Sequence, residues 1–333
     1  LVPQGMAYAE LAGLPPVTGL YATLIPLLAY AVFGPSRILV LGPVSALAPL
    51  VAAAVIPVAG ADPAERVAVA GLLALMVGAL LLVGAVARLG FLTDLLSKPV
   101  RVGYLAGIAL IVIADQLPRL LGVPSTGERF VDDAGDLVRN LGEIDPTTAA
   151  LGIGCLVVVL VSWRIAPAAP GILVAVAGSA ILVRGFGLDV SVVGTVPGGL
   201  PSLTVPSPSV DDLGRLGLAA AAIALLAFAD TSVLSRSYAS RLGDRVDQNR
   251  ELGGLAAANL ATGLFQGFPM SSSSSRTPVA EAAGARTQLT GVVAAAAIGL
   301  VLVVGTGLLK NIPTAALAAV VIAAVLRLFD VPA

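Results

Sequence analysis

The stretch Gly267-Phe-Pro-Met-Ser-Ser-Ser-Ser-Ser-Arg-Thr-Pro278 sets five consecutive serines and an arginine between two prolines. Hydroxyls and a guanidinium are donors suited to holding an anion. A serine run is also the usual composition of a flexible linker. Its surroundings argue against a linker, because apolar runs end at Phe265 and resume near Val292. A second stretch repeats the design: Ile38 to Leu41 form a β-branched and Leu run, Gly42-Pro43 interrupts it, and Val44-Ser45 opens another apolar stretch. Proline suits the first turn of a helix and serine its cap. Each stretch reads as a short extended piece turning into a half-helix, beginning at Pro43 and at Ser271 or Ser272.

A helix N-terminus leaves several N–H groups unpaired and carries about half a positive charge. Two such ends pointing toward each other make an anion site, in which helix ends select charge more than the arginine does. Ser274 and Ser275 are its expected donors in one half, Val44 and Ser45 its neighbours in the other. The alternative for Ser271 to Ser275 is capping and close packing alone, as small residues do in membranes. Arg276 either supplies fixed positive charge to the anion or pairs with Asp230. Asp230, in Leu-Leu-Ala-Phe-Ala-Asp-Thr, is the other charge deep in an apolar run. Such a carboxylate binds a coupling cation, carries a proton or neutralises Arg276. Gln4 and Tyr8 lie at i and i+4 on one helical face and could close the site from the side; Tyr8 could equally be an interfacial aromatic.

The elements that hold these residues must live in lipid. Of the 333 residues 57% are hydrophobic and 12% charged, with a mean hydropathy of +0.98; a soluble domain carries about twice that charged fraction. Segments 1–13, 17–34, 43–59, 67–87, 100–121, 147–163, 168–186, 214–235, 251–265, 271–283, 288–308 and 313–328 are candidate membrane helices. Those at 43–59 and 271–283 are short, and 251–265 carries Asn259 and Thr262. Basic residues in the short loops favour a cytoplasmic N-terminus, with Arg37, Arg88, Lys98, Arg101, Arg164, Arg236, Arg241, Arg245, Arg250, Arg286 and Arg327 inside and Arg66, Arg119, Arg129, Arg139, Arg184 and Lys310 outside. The chain begins without Met, in what reads as the second half of a span, and is expected to be incomplete at both ends.

A net charge of -1 and the absence of His argue against a nucleic-acid partner and against His-based metal or acid–base chemistry. Cys155 is the single cysteine and reads as an inert core thiol. Neither a metal nor a cofactor is expected. Without a nucleophile–base pair, an enzyme is the weaker reading.

The blocks from Val2 to Leu50 and from Asp247 to Gly291 carry Asn249-x-Glu251-Leu252, Gly267-x-Pro269, Ser275-Arg276-Thr277 and Gly284-x-x-Thr287-Gln288-Leu289. They resemble the signature regions of the SulP anion permeases, solute carrier family 26. The resemblance implies an all-α polytopic membrane protein of the cell membrane, with fourteen spans in two inverted seven-span repeats divided into core and gate domains. Two half-helices, in spans 3 and 10, would be preceded by short strands and hold the anion between their ends. About twelve of the fourteen spans would be present, residues 1–186 forming the first repeat and 210–333 the second. A C-terminal STAS domain would follow, and the full-length protein would be a homodimer. The implied activity is secondary active transport of sulfate, bicarbonate, chloride or a dicarboxylate, coupled to H+ or Na+. Asp230 with Ser272 and Ser273 matches most of the coupling-ion site of sodium-coupled members. Leu234 stands where those members have a hydroxyl, and Thr231 or Ser235 is the candidate substitute. An uncoupled anion channel and a nucleobase-type permease remain alternatives on the same fold.

Overall fold

Each of the twelve expected segments meets a helix in the computed structural model, which describes residues 1–91, 98–123, 140–165, 170–206, 210–243, 246–282 and 284–326. In chain order the elements are α1 (Val2–Leu11), α2 (Pro16–Phe33), β1 (Leu41–Gly42), α3 (Ala48–Ala59), α4 (Pro63–Val86), α5 (Lys98–Leu121), α6 (Pro146–Ile165), α7 (Gly171–Phe186), α8 (Val210–Leu242), α9 (Gln248–Leu264), β2 (Ser271–Ser272), α10 (Thr277–Ala282), α11 (Leu289–Leu300), α12 (Thr306–Leu309) and α13 (Thr314–Leu326). A single π turn, Val301–Gly305, joins α11 to α12.

Local chemistry sets the helix starts. Asp62 caps α4 by accepting from the Ala64 N–H, with Pro63 in the first position. Asp247 caps α9 through the Asn249 N–H. Asp145 does the same for α6 through Thr148, whose hydroxyl and N–H hold that carboxyl below its ordinary range. Five described helical stretches are long and apolar enough to cross a membrane: Pro16–Phe33, Pro63–Val86, Pro146–Ile165, Asp212–Ser240 and Leu289–Leu309. Val32, Val83, Val86 and Ile165 stand exposed on such helices, as hydrocarbon facing lipid should. At 12 and 6 residues, α3 and α10 fall well short of the ~20 a span requires.

The chain divides into two compact units, each discontinuous in sequence. One comprises Leu1–Lys98 and Gly199–Val303, the other Pro99–Gly198 and Val304–Ala333. In the first, α4 packs along α9, and α2 packs against α1, α9 and α11. The α1–α2 crossing depends on missing side chains: a Cβ on Gly19 would lie 1.9 Å from the Gly5 carbonyl oxygen. The Tyr30 hydroxyl on α2 donates to the Glu251 carboxylate on α9 at 2.8 Å, and both residues are buried. In the second unit α6 packs against α7 and α13. Cys155 is buried there with its thiol against the Ala175 carbonyl, as an inert core cysteine should be.

Candidate functional site

The half-helices of the first unit meet through a minimal ribbon. β1 and β2 pair antiparallel, Leu41 opposite Ser272 and Gly42 opposite Ser271. Two residues per strand cannot hold a ribbon in isolation, and unpaired backbone groups are costly in a membrane interior. Surrounding elements supply the missing partners. The Ser273 N–H donates to Val40 O at 2.9 Å. The Val40 N–H donates to Thr277 Oγ1 at 3.1 Å and the Ser272 N–H to Thr231 Oγ1, from α8, at 3.3 Å. Gln288 Nε2, at the start of α11, donates to the Ser36 and Leu39 carbonyls that lead into β1.

The serine run is therefore not the start of a helix. Ser271 and Ser272 form the strand itself, and both helices begin later than expected, at Ala48 rather than Pro43 and at Thr277 rather than Ser271. Ser271 and Ser272 are held extended by the ladder to β1, and a residue so held cannot also wind into a helix. Ser273 closes the intervening turn, its Oγ accepting from the Arg276 N–H at 3.2 Å. Pro278 then takes an early position in α10, where its missing N–H costs nothing. Ser275 Oγ lies 3.2 Å from Ser273 Oγ and is half-buried, whereas Ser274 is exposed. In the other half Ser45 is buried and Val44 half-buried, and Val44 O accepts from the Leu47 and Ala48 N–H groups as α3 begins.

Arg276 joins the two halves. Its guanidinium is buried, and Nη2 donates to the Pro43 carbonyl beyond β1. Among the described residues Nε and Nη1 have no hydrogen-bond partner. Gly42 makes the space: a Cβ there would lie 2.8 Å from Nη1 and 3.2 Å from Nη2. Its φ of 147° is itself one that side-chain-bearing residues rarely adopt. A desolvated cation with two unsatisfied donors, beside two helix N-termini, is a strong anion-attracting centre.

The first helix borders this centre. Gln4 and Tyr8 are both buried, and Tyr8 lies within electrostatic range of Arg276. Asp230 is half-buried on α8, next to the Thr231 that accepts from Ser272. Of the two hydroxyls offered as substitutes for the one missing at Leu234, Thr231 reaches β2, while Ser235 bonds the Ser232 carbonyl of its own helix. The Ser272 Oγ is buried with no described partner. The sequence did not mark Gly42 as the guanidinium's cradle, nor Thr231, Asn259, Thr277 and Gln288 as partners of the ribbon. A Gly-Pro break and polar residues inside apolar runs were the available signals.

Comparison with known proteins gives the family and the fold. The family model described as "Sulfate permease family" matches residues 1–333. A Mycobacterium tuberculosis protein named "Probable sulfate transporter" is 43% identical over 333 residues, covering 99% of this chain and 60% of that protein. "Sulfate transporter 4.1, chloroplastic" of Arabidopsis thaliana is 33% identical over 340 residues, covering 99% of this chain and 50% of its own length. The transmembrane domain of a cyanobacterial bicarbonate transporter superposes with a TM-score of 0.90 at 26% identity, covering 98% of this chain and 85% of that one. The murine Solute Carrier 26 family member A9 shares the fold with a TM-score of 0.91 at 22% identity, covering 99% and 58%. The seven-plus-seven inverted-repeat fold of multi-pass proteins of the cell membrane is thereby assigned to this chain. The chain spans 60% or less of the length of these sequence relatives. With the family model matched from first residue to last, the chain belongs to the sulfate permease family.

Proposed function

We propose that this chain forms the membrane domain of a secondary active transporter of a small anion. The observation that carries the reading is Arg276: a buried guanidinium at the junction of both half-helices, with Nε and Nη1 unpaired among the described residues. Ser274, Ser275 and Arg276 bind the anion from one half and Val44 and Ser45 from the other, and Gln4 and Tyr8 close the side. Relatives named as sulfate and bicarbonate transporters support an oxyanion. Asp230, Ser272 and Ser273 hold the coupling H+ or Na+. The buried Ser272 hydroxyl, with no described partner, supports a role for it there, while Ser273 is already engaged as a cap. Residues 1–186 and 210–333 act as the inverted repeats, and the antiparallel pairing of one strand from each is what an in-plane pseudo-twofold would produce. Full-length chains pair as homodimers and carry a STAS domain beyond the segment described.

Proteoliposome uptake by the full-length protein tests this, with labelled sulfate, bicarbonate, chloride and a dicarboxylate, each with and without pH and sodium gradients. Saturable uptake of one anion, accelerated by one gradient, is the expected result. Linear, gradient-insensitive flux would mean an uncoupled channel, and no uptake of any anion would overturn the reading.

A further inference from the structure

We propose that Asn259 is a positioning residue for the anion site, acting as the missing third strand beside β2; this rests on the transport reading above. Asn259 is fully buried in α9, where an apolar residue would serve the helix equally well. Its Oδ1 accepts from the Met270 N–H at 3.1 Å and its Nδ2 donates to the Met270 carbonyl at 3.2 Å. That is the two-way pairing a neighbouring strand residue would give. The same Nδ2 donates to Leu255 O at 3.0 Å, one turn back on α9. The pairing itself fixes the amide's orientation, since a flipped amide would set its NH2 against the Met270 N–H.

The register explains why a side chain is required. The Ser273 N–H faces β1, bonding Val40. Alternate residues of an antiparallel strand face the partner, so the N–H groups of Ser272 and Met270 point outward. Thr231 takes the first and Asn259 the second. The link back to α9 is closed again by the Gly267 N–H, which donates to Thr262 O at 2.9 Å. α9 and β2 are thus clamped into one hairpin, and Arg276 follows Met270 by only six positions. Where Asn259 holds Met270 decides where Ser275 and Arg276 stand.

Asn259→Asp in the full-length protein is the discriminating variant. It keeps an acceptor for the Met270 N–H, loses both Nδ2 donations and sets carboxylate against carbonyl. Sulfate uptake should show KM raised about ten-fold, the equivalent of 1.4 kcal/mol, with maximal rate within about two-fold, and the melting temperature should fall because two buried donations are lost. A wild-type KM in the folded variant overturns the proposal, whatever happens to the rate or the melting temperature. Should the variant not fold, hydrogen exchange on the wild type decides: sulfate should slow exchange of the Met270 and Ser272 amides at least ten-fold, and unaltered exchange refutes the role. Wild-type protein that takes up none of the tested anions overturns the transport reading and this inference with it; wild-type uptake with an unmoved Asn259→Asp KM overturns this inference alone.

Discussion

Ser275 and Arg276 are adjacent, yet their environments give them different work. Ser275 is a half-buried hydroxyl at the lip of the turn, and its loss removes one donor while leaving the backbone in place. A hydrogen bond to a charged ligand is worth about 1.5–3 kcal/mol and 1.4 kcal/mol is one decade, so Ser275→Ala should weaken sulfate affinity by about ten-fold or more in a titration of full-length protein. Ser275→Trp should abolish uptake, because the indole fills the space between the half-helices; normal transport by that variant would show that the site lies elsewhere. Arg276 is buried, and it ties β2's turn to the Pro43 carbonyl. The guanidinium therefore matters more than a reading based on helix ends alone allows, since α10 has only six residues. Arg276→Gln should change transport rate and weaken binding more than Ser275→Ala does. Asp230 is the remaining charge of the pair, and its carboxylate inside α8 requires a proton, a cation or a neighbouring partner. Asp230→Asn should abolish gradient-driven accumulation of the anion at an unchanged melting temperature. Accumulation at the wild-type rate would make Asp230 structural.

Among the elements, the ribbon is the part whose geometry a single atom can test. Gly42 combines a φ of 147° with a guanidinium 2.8 Å from where a Cβ would stand. Gly42→Ala should cost about 1–3 kcal/mol of stability and displace Arg276 from Pro43, read as a lower melting temperature together with a raised KM for sulfate. Retention of both at wild-type values would mean that the cradle does not set the arginine. The ribbon also marks what the sequence could and could not disclose. The helices were legible because apolar runs of the right length have one solution in lipid, and the breaks at Gly42-Pro43 and Gly267-Phe268-Pro269 were legible because proline cannot continue a helix. The strand at Ser271 and Ser272 was not, because serine has no strand preference of its own. Its conformation comes from partners distant in sequence, Leu41 and Gly42 across the ladder and Thr231 on α8. Asn259 looked like a blemish in an apolar span for the same reason: the backbone it satisfies, at Met270, is extended only in the folded protein.

At the scale of the whole molecule, the fold divides the chain in a way that no local pattern announces. Both compact units draw on both halves of the sequence, so the order of segments along the chain and their grouping in space are separate facts. Orientation is carried instead by a global balance of charge. Under the positive-inside rule, short cytoplasmic loops collect Lys and Arg, and the larger share here follows from setting Arg37, Arg88, Arg164, Arg250 and Arg286 on the inner side. α4 makes this testable at two points. Its 24 residues are about 36 Å long at 1.5 Å per residue, enough to put its two ends on opposite sides of the bilayer. Ala61, before the helix, and Ala87, after it, are both exposed. The one thiol of these 333 residues, Cys155, is buried, so in full-length protein with any further cysteine replaced by serine, engineered cysteines would report with little background. In full-length protein expressed in intact cells, a membrane-impermeant maleimide should label Ala61→Cys from outside and leave Ala87→Cys unlabelled until the cells are opened. The opposite pattern would invert the molecule and put the Arg88 loop outside. Labelling of both from one side would mean that α4 does not cross the membrane at all, and the fold's placement in the bilayer would fail with it.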